Sequence, residues 1–298
     1  MEHRMRDGVR QPVVADRFYA ADAARCRADA DRLTAAPVKR PQDAGRVIGG
    51  IAPHAGWICS GRVAGLTWRG LAEYSDARTV FLTGSVHTVE LNQPALDTAE
   101  AWGIPGDAIA VDDDLRRAIA GLDEFAIFDR AHTHEHALEV QLPLMQAAMG
   151  EDVTFVPCMI PPSESAVSWG EALGHLLRDW PEPVALVASV DLTHHGPAYG
   201  FTPHGDGEAG YHWAHRENDA DLLEHVRALD AAGTFDHACQ QQSSCGPGAL
   251  AAVLAAARVL GARRGHVLEH TDSVRELMPL GHTDTTNSVG YTAAVLGD

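Results

Sequence analysis

The stretch VALVASVDLTHHG, residues 184–196, decides the fold class of this 298-residue chain. It opens with an almost uninterrupted apolar run, which is typical of a strand buried on both faces. Comparable runs predict strands at residues 47–53, 79–85, 153–160, 184–191 and 289–296. Amphipathic stretches between them predict helices at residues 21–33, 62–74, 135–149, 165–178, 208–229 and 246–260. This alternation predicts an α/β fold with helices on both faces of the sheet.

The composition is that of a globular protein with a sizeable core. Hydrophobic residues make up 45% of the chain and charged residues 21%, which excludes disorder, collagen and coiled coil. The sequence has no internal repeat and no interdomain linker, and its longest irregular stretch is residues 92–114. We therefore predict a single domain spanning residues 1–298.

The charge balance limits the classes of partner. With 41 acidic and 23 basic residues the net charge is -18, and such a field repels nucleic acid and anionic lipid. No segment approaches the roughly 20 apolar residues of a membrane span, and residues 1–10 are too charged for a secretory signal. We expect a cytoplasmic protein with no nucleic-acid and no membrane partner, and the composition is compatible with a homo-oligomer.

Reactive side chains lie where predicted strands end. His54 and His87 follow the first two strands, residues 191–195 (DLTHH) follow the fourth, and Cys245 precedes the last long helix. Ligands of open α/β sheets bind beyond the carboxyl ends of the strands. Together these segments predict a functional site, although any one histidine alone could be a loop residue bonded to the backbone.

Cys245 has a distinctive local setting. Unpaired amides and the dipole at a helix start favour the thiolate, which is the form that binds metals and attacks electrophiles. A buried, inert cysteine is the alternative. The chain has five cysteines and no CxxC pair, which disfavours a disulfide framework or a cysteine-rich zinc site.

The segment AHTHEHALEVQLP, residues 131–143, is the densest histidine cluster. On the predicted helix, His136 and Glu139 share a face, so we expect both to line a pocket. Trp57, which follows the HAG sequence at residues 54–56, is a candidate wall of that pocket, with a core position as the alternative.

These motifs resemble the Memo-like family, whose bacterial and archaeal members are often labelled AmmeMemoRadiSam system protein B. The resemblance rests on RQP (10–12), GGIAPHAGWICSG (49–61), FLTGSVH (81–87), EHALEVQLP (135–143), ASVDLTHHG (188–196), SSCGPGA (243–249) and SVGY (288–291). It implies a three-layer αβα sandwich around a mostly parallel or mixed sheet, similar to class III extradiol dioxygenases. Those enzymes hold a non-heme Fe(II) with two histidines and one glutamate.

The resemblance also implies roles for individual residues. His54 and His87 match the family's metal-binding histidines, and Cys245 falls where the dioxygenases place their carboxylate ligand. Asp191 and His194 match the family's acid/base motif, and the adjacent His195 leaves open which histidine faces the site. A thiolate in place of a carboxylate shifts the metal preference from iron towards copper.

The leading hypothesis is a metal-dependent redox enzyme that uses Fe(II), with copper as the alternative. Its substrates would be O2 and a small organic molecule, for which an aromatic diol is the default that the resemblance suggests. Asp191 would orient His194 as general acid/base. His136, Glu139, His195 and Trp57 would lie at the substrate pocket.

Two other classes of function stay open. One is a non-enzymatic metal-binding or redox adaptor protein, as the resemblance to signalling members of the family suggests. The other is a hydrolase or transferase in which Cys245 is the nucleophile and a histidine is the base.

Overall fold

A computed structural model describes residues 8–40 and 45–298 of the chain. Its strands are β1 (Val9–Arg10), β2 (Val47–Ala52), β3 (Thr79–Gly84), β4 (Ala95–Leu96), β5 (Ala101–Ile104), β6 (Asp107–Ala110), β7 (Ala126–Ile127), β8 (Thr154–Met159), β9 (Val184–Ser189), β10 (His194–His195), β11 (Arg264–Asp272) and β12 (Ser288–Gly297). Its α-helices are α1 (Ala23–Thr34), α2 (Trp57–Tyr74), α3 (Asp113–Ala120), α4 (Leu142–Met149), α5 (Ala166–Arg178), α6 (Glu208–Trp213), α7 (Asp219–Arg227), α8 (Ala231–Gln240), α9 (Pro247–Val259) and α10 (Ser273–Leu277).

The central sheet is mixed, with a parallel middle. Its order is β10-β12-β2-β9-β3-β8-β4-β7, and β11 pairs with β12. The four strands β2, β9, β3 and β8 are parallel to one another, whereas β12 and β4 join them antiparallel on either side. A separate three-stranded sheet has the order β1-β5-β6.

Both faces of the sheet are covered. Leu186 and Ala188 of β9 pack with α5 and α9, whereas Ala185 and Val187 face the opposite core, which contains residues of α2 and α4. The alternation is the period-two geometry of a strand buried on both sides. The predicted α/β fold with helices on both faces of a mixed sheet is confirmed.

All five predicted strands are present within two residues of their predicted ends. Helix α2 begins at Trp57, five residues earlier than predicted, and residues 208–229 form α6 and α7 joined by a π-helical turn at Ala214–Asn218. The prediction of a helix over 135–149 is wrong at its start. That segment is a turn followed by a 3-10 turn at Glu139–Gln141, and α4 begins only at Leu142.

Pro143 lies in the first turn of α4, where its missing N–H leaves no hydrogen bond unmade. The sequence analysis also missed α3, α8, β11 and the short strands within residues 92–114. Over the described ranges, the chain has no helix of the length and hydropathy that a bilayer crossing requires.

The parallel strands bring the candidate residues to one edge. His54, His87 and Asp191 follow the carboxyl ends of β2, β3 and β9, which are neighbours in the sheet. Gly246, which precedes α9, packs so closely on Val190 and Ser85 that a side chain there would overlap both. This close approach places the neighbouring Cys245 against the same edge.

Candidate metal centre

Three imidazoles converge beyond the carboxyl edge of the sheet. One ring nitrogen each from His54, His87 and His136 lies within 4.8 Å of the other two. The ring centroids are 5.2 Å apart for His54 and His87, 5.3 Å for His54 and His136, and 4.8 Å for His87 and His136. This group can hold a metal ion.

Each ring is oriented through its Nδ1 atom. Nδ1 of His54 is 2.9 Å from the Ser189 carbonyl oxygen. Nδ1 of His87 and Nδ1 of His136 lie 2.9 Å and 3.1 Å from the same Glu135 carboxylate oxygen. Because these acceptors fix the proton on Nδ1, Nε2 is the atom left to bind a metal, an arrangement typical of histidine ligands.

Glu135 is the residue that fixes the second and third imidazoles. It is fully buried, and it also accepts hydrogen bonds from the backbone amides of His87, His136 and Ala137. Burial alone would raise the pKa of Glu135, but the hydrogen bonds from His136 and His87 lower it below its ordinary value. The carboxylate therefore stays ionised and keeps both rings in place.

Cys245 lies beside this group. Its Sγ atom is 3.5 Å from His54 Nε2, 3.0 Å from Ser85 Oγ and 3.3 Å from the Asp191 amide nitrogen. Although burial raises the pKa of a thiol, His54 and His87 hold the pKa of Cys245 well below its ordinary value. This shift favours the thiolate form of Cys245.

Nearby anionic groups also raise the pKa values of two of the imidazoles. Burial lowers the pKa of His54, but Asp191 and Cys245 outweigh it and raise that pKa to about 9. For His87, burial is outweighed by Cys245 and Glu135, and the pKa rises to about 10. In the metal-free protein these shifts favour imidazolium beside thiolate, and a bound metal ion would displace the proton from Nε2.

The group of three imidazoles differs in one member from the expected ligand set. His136, expected in the substrate pocket, joins His54 and His87 in the group that can hold an ion. Cys245, expected as the third ligand, lies next to His54 within that neighbourhood, and its ligation stays a prediction. Three imidazoles suit iron, copper, zinc and nickel, so the donor set alone does not select among them.

Asp191 and His194 do not form the expected pair. Asp191 is buried, its Oδ1 accepts the His54 amide hydrogen bond at 2.8 Å, and its Oδ2 is 3.9 Å from His54 Nε2. The ring of His194 is instead oriented by the Leu192 carbonyl oxygen, 3.0 Å from its Nδ1, and lies edge-on to Tyr199. The Leu192 carbonyl therefore orients His194 at Nδ1, and the expected roles of Asp191 and His194 in proton transfer stay predictions.

Glu139 contacts the N-terminal segment. It is fully buried, forms an ion pair with Arg10 at 2.7 Å, and accepts hydrogen bonds from the Val13 and Val14 amides and the Tyr19 hydroxyl. These partners occupy both carboxylate oxygens. The shared helical face that was expected for His136 and Glu139 is absent, because residues 139–141 form a 3-10 turn before α4, and a place of Glu139 at a substrate pocket stays a prediction.

Two other predicted pocket residues are also buried. His195 is fully buried, with Nε2 3.0 Å from the Gly205 carbonyl oxygen, whereas His194 is partly exposed; which of the two faces a substrate stays a prediction. Trp57 is largely buried, and its indole N–H donates to the Val140 carbonyl oxygen. It also borders a cavity together with Phe18 and Tyr19, so its role as a pocket wall stays a prediction.

Sequence reasoning missed two contributors to the site. Glu135 stood within the quoted HEH sequence, and its position between two histidines was the available signal. Phe18, whose ring centroid lies 4.8 Å from that of His136, was not predicted to lie at the site, because it is 118 positions away along the chain.

Comparisons with known proteins agree with the motifs. A sequence profile described as Memo-like protein matches residues 10–295. A MEMO1 family protein of Methanopyrus kandleri is 31% identical over 96% of this chain and 98% of its own length, and one of Methanosarcina acetivorans is 32% identical over 97% and 99%.

A crystal structure of an uncharacterized Escherichia coli K12 protein matches 75% of this chain and 90% of its own at 18% identity, with a TM-score of 0.41. That score is too low to carry an argument. The profile match and the end-to-end identity to the archaeal relatives show that this chain belongs to the Memo-like family.

Proposed function

We propose that this protein is a metal-dependent oxidoreductase that binds Fe(II), or alternatively copper, and acts on a small organic substrate with O2. The observation that carries the proposal is the convergence of His54, His87 and His136, each with its Nδ1 directed at a fixed oxygen acceptor. Such orientation by a carboxylate or a backbone carbonyl is typical of histidines that bind a metal. A redox-active metal bound there would bring O2 and substrate together and exchange electrons with them.

The residues around the imidazoles supply proton transfer. Asp191 is buried with one carboxylate oxygen near His54 Nε2, which favours acceptance of a proton released next to the metal position. His194 keeps a proton on Nδ1 through the Leu192 carbonyl, which leaves its Nε2 free to accept another. An aromatic diol, which binds a metal through two oxygens and loses protons on binding, is the substrate class that fits these roles.

Oxygen consumption tests the activity. The protein is loaded with Fe(II) without air, mixed with a panel of catechols, and O2 uptake is recorded for wild type, His136→Ala and His282→Ala. His282 is exposed and lies outside the cluster, so it is the matched control. We expect uptake by wild type and His282→Ala and its loss in His136→Ala, and uptake unchanged in His136→Ala would contradict the proposed site.

A second candidate function rests on Cys245. Its thiolate lies 3.5 Å from an imidazole nitrogen of His54, which is the pairing that a cysteine nucleophile needs. A hydrolase or transferase of this kind would keep its turnover in the presence of chelators and lose it on alkylation by iodoacetamide. The oxidoreductase would lose its turnover in the presence of chelators.

The adaptor hypothesis makes a different prediction from both. Stoichiometric copper(I) binding with no turnover on any diol, and no sensitivity of any reaction to iodoacetamide, would favour a metal-binding adaptor over either enzyme.

A further inference from the structure

A cavity of about 1020 Å³ lies at the edge of the sheet where β11 has no further partner. Over the described residues, β11 pairs only with β12. The cavity is bordered by α2 on one side, by α7 on the other, and by residues 37–40. None of the three clustered histidines lines it, so it is separate from the candidate metal centre.

The cavity concentrates positive charge in a strongly acidic protein. Its basic lining residues are Lys39, Arg40, Arg62, Arg227, Arg263 and Arg264, and its acidic ones are Glu224 and Glu269. The chain as a whole has 23 Lys and Arg against 41 Asp and Glu. Since charges act mainly within a Debye length of about 8 Å at physiological salt, this local excess, rather than the net charge, decides what the cavity attracts.

Each acidic lining residue has an arginine partner. Arg62 pairs with Glu276 at 2.6 Å and with Glu269 at 3.4 Å, and Arg227 pairs with Glu224 at 2.7 Å. In contrast, the exposed side chains of Lys39, Arg263 and Arg264 have no acidic partner within residues 8–40 and 45–298. Three basic side chains at one cavity therefore have no ion-pair partner in the described chain.

The rest of the lining is apolar. Val38, Leu66, Val267 and Leu268 border the cavity, and Leu268 packs over α2 near Gly70. The volume is at the upper end of small-molecule sites, which are about 300–1000 Å³ and combine apolar walls with a few charged groups. Arginine is the residue that binds phosphate or carboxylate groups with two parallel hydrogen bonds.

We propose that this cavity binds a small organic polyanion, a molecule with phosphate or clustered carboxylate groups and an apolar part, through Lys39, Arg263 and Arg264. A phosphate ligand and a carboxylate ligand would bind in the same way. Each presents several negative charges to the basic side chains and an apolar part to the apolar lining of the cavity. The site is independent of the proposed redox function and can be occupied without a metal.

Calorimetric titration of the full-length protein tests the proposal, with tripolyphosphate and citrate as separate probes. The variant Arg263→Gln/Arg264→Gln removes two of the three basic side chains. The control Arg130→Gln/Arg178→Gln removes two exposed positive charges outside the cavity. A Lys39→Gln variant removes the third basic side chain. The melting temperature of each protein shows whether a loss of binding is caused by a loss of folding.

We expect at least one probe to bind wild type and the control with similar affinity. Because a hydrogen bond to a charged group contributes about 1.5–3 kcal/mol, the double variant should bind at least about tenfold more weakly. Tighter binding of tripolyphosphate assigns phosphate, and tighter binding of citrate assigns carboxylate. Absence of binding by both probes, or equal weakening in the control, would overturn the proposal.

Discussion

Glu135 fixes two of the three imidazoles with one buried carboxylate. It lies between His134 and His136 in the sequence, yet its contact with His87 spans 48 positions. The strand-end pattern identified His54 and His87 because parallel strands end at the same edge, a rule that needs no side-chain detail. The pattern could not identify Glu135, and it could not place His136 with His54 and His87. The positions of both residues depend on the conformation of the turn before α4.

Replacement of Glu135 by Gln should weaken metal binding. The amide can accept only part of the hydrogen bonds that the carboxylate accepts, so His87 and His136 lose their fixed orientation. We expect metal affinity to fall by about 10- to 100-fold, measured by anaerobic titration. Glu164→Gln, at an exposed position, is the control, and an unchanged affinity of Glu135→Gln would contradict the orienting role.

His132 should make the fold sensitive to acid. Burial lowers its pKa to about 4, below its ordinary value near 6.5, so the unfolded chain takes up the proton first. Stability is therefore lost as pH falls through 6.5 towards 4, by about 2 kcal/mol between pH 7 and pH 5.

Urea unfolding of wild type and His132→Gln at both pH values measures this effect. The glutamine can still donate to the Ala95 carbonyl that His132 contacts, and it does not titrate. The variant should lose about 2 kcal/mol less than wild type over this interval. The exposed His175→Gln control should behave like wild type, and equal losses in all three proteins would exclude the assignment.

At the scale of elements, the turn before α4 is held by the N-terminal segment. Arg10 donates hydrogen bonds to the carbonyl oxygens of His132 and Glu135 and pairs with Glu139. Glu139 in turn binds residues 13–19 through two amides and the Tyr19 hydroxyl. The element that carries His136 is thus positioned by residues more than a hundred positions earlier.

The variant Glu139→Ala should destabilise the protein by about 3–5 kcal/mol, because it leaves the buried Arg10 guanidinium without its ion pair. Urea unfolding measures the loss, and trypsin cleavage after Arg17 should accelerate. The double variant Arg10→Met/Glu139→Gln should recover part of the loss, since it leaves no unpaired buried charge. A single variant as stable as wild type would show that the ion pair does not hold this segment.

Some secondary-structure elements could be predicted from a local sequence pattern, and others could not. Continuous apolar runs identified five of the six strands that are six residues or longer, because burial on both faces leaves little choice of residue, and the partly exposed β11 lacks such a run. The short strands in residues 92–114 and the 3-10 turn at Glu139–Gln141 depend on long-range contacts and have no such pattern. The Leu142–Pro143 pair was the available local signal for the start of α4.

At the scale of the whole molecule, the candidate metal centre and the basic cavity lie at different edges of the central sheet. The three imidazoles lie beyond the carboxyl edge of the parallel strands. At the β11 edge lie basic side chains that have no ion-pair partner among residues 8–40 and 45–298. The single-domain organisation over residues 1–298, the cytoplasmic location and homo-oligomer formation stay predictions. Membership of the Memo-like family is confirmed by the match over residues 10–295.

Metal stoichiometry tests whether His54, His87 and His136 bind a metal ion. Protein reconstituted with Fe(II) without air is analysed for metal content and, after nitric oxide is added, by EPR, for wild type, His54→Ala, His87→Ala, His136→Ala and the His282→Ala control. We predict about one iron per chain with a nitrosyl signal in wild type and the control, and loss of both in the three cluster variants. Full binding retained without His136, or no stoichiometric metal in wild type, would contradict the three-histidine centre.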